Sequence, residues 1–336
     1  MSKPKTCFRL ASLKTPWRNF LSILLERVRT ITEEKGKPAA LSTVSAEGSS
    51  GEKILRLTDG RHLGYAEFGA TGGKPLLYCH GLPASRLEAR LCHKAACRLG
   101  IRVIAPDRPG FGRSDFQPQR TLADWPQDVV QLADVLALER FAVLGVSGGG
   151  PYAVACACAL AQRLTAIGLV APLGPVAVPE LGGAMKGPAR FSFRLAQHWP
   201  RLADLIYGEL LGRLLHRRPL LALLLLQVAE PDRPVVRNAE TREILSHSIE
   251  EAFRYGGQGA VAELRLFASD WDLELGRITT AVHLWHGDLD RTVPVIMGRH
   301  LAAAIPHCQA RFLSQEGHFS LPVNHMEEIL RTLVGD

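Results

Sequence analysis

Apolar positions along the chain change their period several times, and each change marks an element. The run Ile54-Leu55-Arg56-Leu57, the dipeptide Asp59-Gly60 and the segment from His62 to Phe68 predict a hairpin. Asp-Gly suits its tight turn because both residues reach positive φ at little cost. Strand and helix patterns then alternate: strand 75–79, helix about 86–99, strand 101–105, helix about 122–137, strand 140–145, a further helix, and strand 165–171. The helix after strand 140–145, Tyr152 to Gln162, is rich in Ala and reads as buried, with Pro151 in its first turn, where a missing N–H costs nothing. Such alternation predicts a mostly parallel sheet with right-handed crossovers. From about Leu173 to Ile278 the alternation stops and the pattern is helical, punctuated by Pro179, Pro188, Pro200, Pro219, Pro231 and Pro234, with Leu210, Leu211, Leu214 and Leu215 as one stripe. Apolar strands return at Val282-His283-Leu284-Trp285 and Arg311-Phe312-Leu313. The chain thus divides into an extension, 1–50, a first α/β part, 51–172, a helical insertion, 173–278, and a second α/β part, 279–336.

One strand ends in chemistry. Phe141-Ala142-Val143-Leu144 runs into Gly145-Val146-Ser147-Gly148-Gly149 and then into a helix, the sequence form of a nucleophile elbow. The glycines are needed because the serine sits on a sharply turned backbone where neighbouring side chains would clash. A serine hydroxyl is a poor nucleophile without a base and a group to orient that base. For this elbow the partners follow in the order acid, then His. Behind the strand at 282 come Gly287, Asp288 and Asp290, and behind the strand at 311 comes Gln315-Glu316-Gly317-His318-Phe319. Both lie just past strand ends, where α/β enzymes place their chemistry.

At these residues the chain resembles the α/β-hydrolase-fold serine hydrolases, esterase- or lipase-like with a helical cap. The resemblance covers roughly Ile54 to the C-terminus and is weakest in the middle. It implies an α/β fold whose mostly parallel central sheet is flanked by helices, with the cap inserted after the sixth strand. It implies Ser147 as nucleophile and His318 as base. The family's acid stands three positions after the glycine and before Val-Pro, which selects Asp290 over Asp288. The alternative acid position, after Ile167-Gly168-Leu169-Val170-Ala171-Pro172, holds no Asp or Glu. The oxyanion donors implied are the backbone N–H groups of Gly148 and, from the His80-Gly81-Leu82-Pro83 loop, of Leu82. Pro83 has no N–H to give. Leu82 makes the acyl side of the pocket greasy, and the loop lacks the Gly-Gly-Gly run of the lipase/esterase branch. The serine separates this chain from haloalkane dehalogenases and epoxide hydrolases, which place Asp at the elbow.

Other motifs read as structure. Asp107-Arg108-Pro109-Gly110-Phe111-Gly112-Arg113-Ser114-Asp115 resembles the family's turn at the rim of the pocket, and no Gly-Lys-Ser follows it to make a phosphate loop. Ser147-Gly148-Gly149-Gly150 lacks a lysine and reads as a helix start. For His80 the family resemblance implies a side chain that holds its loop by hydrogen bonds, and His283 and His286, on or at the end of a strand, are expected to be packed side chains. No His pair has metal spacing, so no metal and no cofactor are expected. Seven Cys, an odd number without Cys-x-x-Cys, point to a reducing compartment, with Cys79, Cys156 and Cys158 expected in the core as small hydrophobes.

The net charge of +7 sits mostly in the extension, where nine Lys/Arg face four Glu over the first 50 residues. The core is nearly neutral, so the basic balance does not argue for nucleic acid. In the extension, Trp17, Phe20, Leu21, Leu24, Leu25, Val28 and Ile31 recur at helical spacing. That basic amphipathic stretch fits peripheral membrane contact or docking on the hydrolase body, an organelle transit segment, or a disordered start. The longest greasy patch, 219–226, is far short of the about 18 residues that span a bilayer.

The resulting expectation is a cytoplasmic, cofactor-independent serine hydrolase acting through an acyl-enzyme on a small or medium apolar ester. Other chemistry of the same triad stays open: lactone, C–C bond or lipid hydrolysis, perhydrolysis, or aminopeptidase action. A ligand-binding receptor or scaffold with low turnover is the reading from a different class.

Overall fold

Eight strands form one sheet in the order β1-β2-β4-β3-β5-β6-β7-β8. They are β1 (Ser50–Arg56), β2 (His62–Gly69), β3 (Lys74–Cys79), β4 (Ile101–Pro106), β5 (Phe141–Val146), β6 (Leu164–Val170), β7 (Val282–Gly287) and β8 (Gln309–Leu313). The computed structural model describes residues 50–211 and 228–335, so the basic extension and the greasy patch at 219–226 lie outside the described residues. β1 and β2 form the expected hairpin, and β2 runs antiparallel to β4; every later pairing is parallel. β1 starts at Ser50, because ladder pairing with Glu67 and a Lys53–Glu67 ion pair of 2.7 Å extend it.

Between the strands run α1 (His93–Arg98), α2 (Trp125–Val135) and α3 (Gly150–Ala159), and after β7 come α10 (Val295–Ala304) and α11 (Ser320–Val334). The helix expected from 86 opens instead as a tight 3-10 segment, Arg86–Cys92, capped by Ser85. All six residues of β5 are buried, since helices cover both faces of the sheet there. One core face gathers Trp125, Val129, Tyr152 and Leu284, and the other Phe68, Ala89, Leu321 and Ile329. Cys79 and Cys156 lie in the core, but Cys158 is exposed. Cys158 lies in the last turn of the helix, where burial stops after Ala157.

Between β6 and β7 the described residues fold mainly as helices: α4 (Pro179–Ala184), α5 (Gly187–His198), α6 (Pro200–Ala203) with a wider turn to Leu211, then α7 (Asp232–Arg237), α8 (Ala239–Ala252) and α9 (Gln258–Ala268). This is the cap inserted after the sixth strand. Buried charge ties it to the sheet. Arg86, at the start of the 3-10 segment, reaches Asp107 at 2.6 Å and Glu251 of α8 at 2.8 Å. Removing one partner of such a buried pair costs about 3–5 kcal/mol, because the charge left behind is uncompensated. Among the described residues no helix is long and apolar enough to cross a membrane.

Candidate active site

The parallel strands end in register: Cys79 pairs with Gly145, Val146 with Val170, Val170 with Trp285, and Gly287 with Leu313. Everything that follows is built on that common edge. β5 delivers Ser147 with φ 53°, the left-handed region that costs a non-glycine residue strain. The neighbours show why glycines flank it. A Cβ on Gly149 would sit 2.0 Å from the Cys79 carbonyl oxygen, and one on Gly145 would sit 2.5 Å from the Gly149 carbonyl oxygen. α3 then starts with Pro in its first turn.

The loop after β3 faces the elbow. A Cβ placed on Gly148 would lie 3.2 Å from Leu82 N, so the two expected oxyanion residues approach backbone to backbone. The Leu82 N–H donates to no group among the described residues, and Pro83 follows through a cis bond. His80 is buried and bonded as expected: its Nε2 accepts the Arg108 N–H at 3.2 Å, which leaves Nδ1–H to donate to the Gly81 carbonyl at 2.9 Å. Burial and the Arg108 charge hold its pKa well below the ordinary imidazole value, so it stays neutral.

Past β7 and β8 the second half assembles. His318 Nδ1 lies 2.7 Å from Asp290 Oδ2, both side chains buried. Asp290 Oδ1 accepts the N–H groups of Thr292 and Val293, each at 2.8 Å. Burial would raise the Asp290 pKa, but the His318 charge and hydrogen bonds from His286 and His318 hold it well below the usual carboxylate range. For His318 burial lowers the pKa, and Asp290, with Asp232 and Glu88 farther off, more than offsets it, raising the value. Asp288 points elsewhere: it is half-exposed and lies 3.6 Å from Arg299 on α10. His286 does more than pack. Its Nε2 donates to the Val293 carbonyl at 3.0 Å and lies 3.5 Å from Asp290 Oδ2. Ser147 Oγ makes no hydrogen bond to His318 among the described residues; such bonds often tighten only with substrate in place.

Two carboxylates at the site were not legible in the sequence. Asp232, the first residue of α7 in the cap, accepts the N–H groups of His318 (3.0 Å), Phe319 (2.8 Å) and Ser320 (2.8 Å). Gly317 permits this approach, since a Cβ there would sit 2.4 Å from Asp232 Oδ1. Eighty-six residues separate Asp232 from His318, so no spacing rule could pair them. Glu88 accepts the Gly81 N–H at 2.7 Å and the Tyr78 hydroxyl at 3.1 Å, and burial raises its pKa. The nearest signal was its place on the segment right after the oxyanion loop. Burial pushes the Cys79 thiol up to about 12, which argues against a thiolate nucleophile in this loop. Among the described residues no cluster of His, Cys, Asp or Glu could hold a metal ion.

The comparisons agree with this architecture. An uncharacterized hydrolase of Bacillus subtilis is 32% identical over 107 residues, which are 32% of this chain and 37% of that protein. The chain thus spans little more than a third of that relative. A 2-hydroxymuconate semialdehyde hydrolase of Pseudomonas putida is 27% identical over 265 residues, covering 77% of this chain and 85% of that one. A solved hydrolase structure from Pseudomonas aeruginosa superposes with a TM-score of 0.63 at 22% identity, over 85% of this chain and 99% of that chain. The family model of the α/β hydrolase fold matches residues 74–324, and with the sheet order, elbow and cap above it, the chain belongs to the α/β hydrolase fold family.

Proposed function

We propose that the chain is a cofactor-independent serine hydrolase that forms an acyl-enzyme on a small or medium apolar carboxylic ester. The observation that carries this reading is the buried His318–Asp290 pair, 2.7 Å apart, on loops at the sheet edge that also bears Ser147. Ser147 Oγ attacks the acyl carbon while His318 takes its proton on Nε2, the ring nitrogen left free because Nδ1–H is given to Asp290. Asp290 holds that tautomer and stabilises the imidazolium. The Leu82 and Gly148 N–H groups receive the oxyanion, and preorganised donors of this kind are usually the largest single contribution to such catalysis. His318 then protonates the leaving alcohol, and water clears the acyl group by the same steps in reverse.

Intact-protein mass spectrometry after a fluorophosphonate probe tests the reading. One adduct on the wild-type chain, lost in Ser147→Ala, is the expected result. No adduct on the wild type would sink it and put a receptor or scaffold role first. The Pseudomonas relative favours a second substrate class: the same residues acting on a 2-hydroxymuconate semialdehyde, the compound in that protein's name. A substrate panel of short esters, lactones and that semialdehyde ranks the two by kcat/KM. A cytoplasmic place and peripheral membrane contact through residues 1–50 belong to the proposal as well. Liposome sedimentation of the full chain, with no binding above that of a chain lacking residues 1–50, would remove the membrane contact.

A further inference from the structure

Arg108 is fully buried in the turn just past β4, and the proposed mechanism gives it no role. Its guanidinium is forked onto one cap carboxylate: Nε lies 2.6 Å from Glu263 Oε1 and Nη2 2.8 Å from Glu263 Oε2. The remaining edge turns to the oxyanion loop. Nη1 donates to the His80 carbonyl and Nη2 to the Gly81 carbonyl at 3.0 Å. The Gly81 carbonyl thus accepts two donors, this guanidinium and His80 Nδ1–H at 2.9 Å.

That carbonyl belongs to the same peptide group as the Leu82 N–H. The Gly81–Leu82 bond is trans, so C=O and N–H point in opposite directions across one plane. Gripping the oxygen therefore aims the N–H, here toward the elbow, where Gly148 and Leu82 meet. A cation on the oxygen also polarises the peptide and strengthens its N–H as a donor. Glu88 fixes the preceding peptide by accepting the Gly81 N–H at 2.7 Å. The direction of the fork is set in turn from the cap. Glu263 lies on α9, is fully buried, and also accepts Tyr152 OH at 2.8 Å and Arg120 at 3.1 Å.

We infer that Arg108, oriented by Glu263 of the cap, is a positioning residue that aims and polarises the Leu82 N–H, so that the seating of the cap sets the strength of the oxyanion hole. The inference rests on the acyl-enzyme reading above.

Arg108→Met is the variant of choice, because Glu263 keeps Arg120 and Tyr152 and is not left as a bare buried charge. Removing an oxyanion donor outright costs about 10²–10³ in kcat, and a donor that is kept but misaimed should cost about tenfold. We expect kcat on a short ester to fall by about tenfold, KM to stay within about twofold, and R108K, which keeps the charge but not the fork, to recover part of the loss. The infrared carbonyl band of an acyl-enzyme trapped from a slow ester should move to higher frequency, because its hydrogen bond has weakened. A purely structural role would lower the melting temperature and leave that band in place. An adduct on the wild type, with kcat unchanged and the band unmoved in folded Arg108→Met, overturns the inference alone. Should the Met variant lose its cooperative melting transition, R108K is read for the same band, and an unmoved band there has the same force. No adduct on the wild type overturns the hydrolase reading and the inference together.

Discussion

The sheet edge and the cap contribute to the site in opposite ways. The edge carries the groups to which the proposed hydrolase gives reactive chemistry, Ser147, Asp290, His318 and the Leu82 and Gly148 N–H groups, each on a turn that follows a strand. The cap supplies carboxylates that meet the loops carrying those groups: Asp232 receives three N–H groups of the His318 loop, and Glu263 meets the arginine beside the oxyanion loop. Reactive geometry is written locally, within a few residues of a strand end. What holds it in place comes from far along the chain.

Substitutions at the edge should be the most damaging to rate and the least to fold. Ser147→Ala should lose about a million-fold in kcat while its melting curve stays near that of the wild type. A melting curve that collapses with the activity would show that the elbow needs the hydroxyl for stability. Asp290→Asn should cost roughly ten-thousand-fold in kcat, since the wrong His318 tautomer is then favoured. The same variant sharpens the comparison through pH. In the proposed mechanism His318 works as a base only when neutral, so its raised pKa should place the acid limb of kcat/KM above the ordinary imidazole value of 6.5. In Asp290→Asn the limb should move to lower pH; a limb that does not move would mean another group sets it. The stability signs run in opposite directions. The raised His318 contributes fully below 6.5 and loses its share as pH rises through its folded value. The depressed Asp290 contributes above 3.8 and loses its share as pH falls through its folded value. Urea titrations of wild type and Asp290→Asn across pH should therefore differ most between those two values.

Cap substitutions should show the reverse balance. Asp232→Ala leaves three N–H groups at the start of α11 without their acceptor and should cost about 2–3 kcal/mol in urea unfolding. Its kcat should fall less than that of either edge variant. A rate loss without loss of stability would make Asp232 part of the chemistry and break the division. At the small end, Asp204→Asn breaks an ion pair to Arg265 that is exposed on both sides. It should change stability by no more than about 0.5 kcal/mol and leave kcat alone, because neither residue touches a site loop.

The same division explains what could be read in advance. The elbow is legible because it sits in a short motif at a strand end, where the turn itself restricts the residues; the family resemblance, not the turn, selects Asp290 over Asp288, and in the structure it is Asp290 that lies against His318. The sheet was legible through its alternating periods, down to the hairpin at Asp59-Gly60. The Ala-rich pattern predicts burial along the whole helix, Cys158 included, whereas the burial stops at Ala157. For His286 the strand pattern predicts packing alone, since nothing in such a pattern tells that its ring lies 3.5 Å from the Asp290 carboxylate. Asp232, Glu251 and Glu263 were invisible for a plainer reason. A buried carboxylate is marked by the cation or N–H it meets, and the partners that tie these three to the sheet and its loops, the His318 N–H, Arg86 and Arg108, lie more than eighty residues away; Glu251 has a local partner as well, Arg254 three residues on.

Glu251 sets a rule for building chimeras. Its carboxylate and that of Asp107 share the buried Arg86. Anyone replacing 173–278 with a cap from another protein, to change which substrates enter, would take away one of those two acceptors along with the other cap carboxylates. A graft that keeps acidic residues at positions equivalent to 232, 251 and 263 should fold and keep its rate. One matched on helix lengths and apolar stripes alone would present well-packed helices to a sheet whose arginines have lost the anions they were buried to meet.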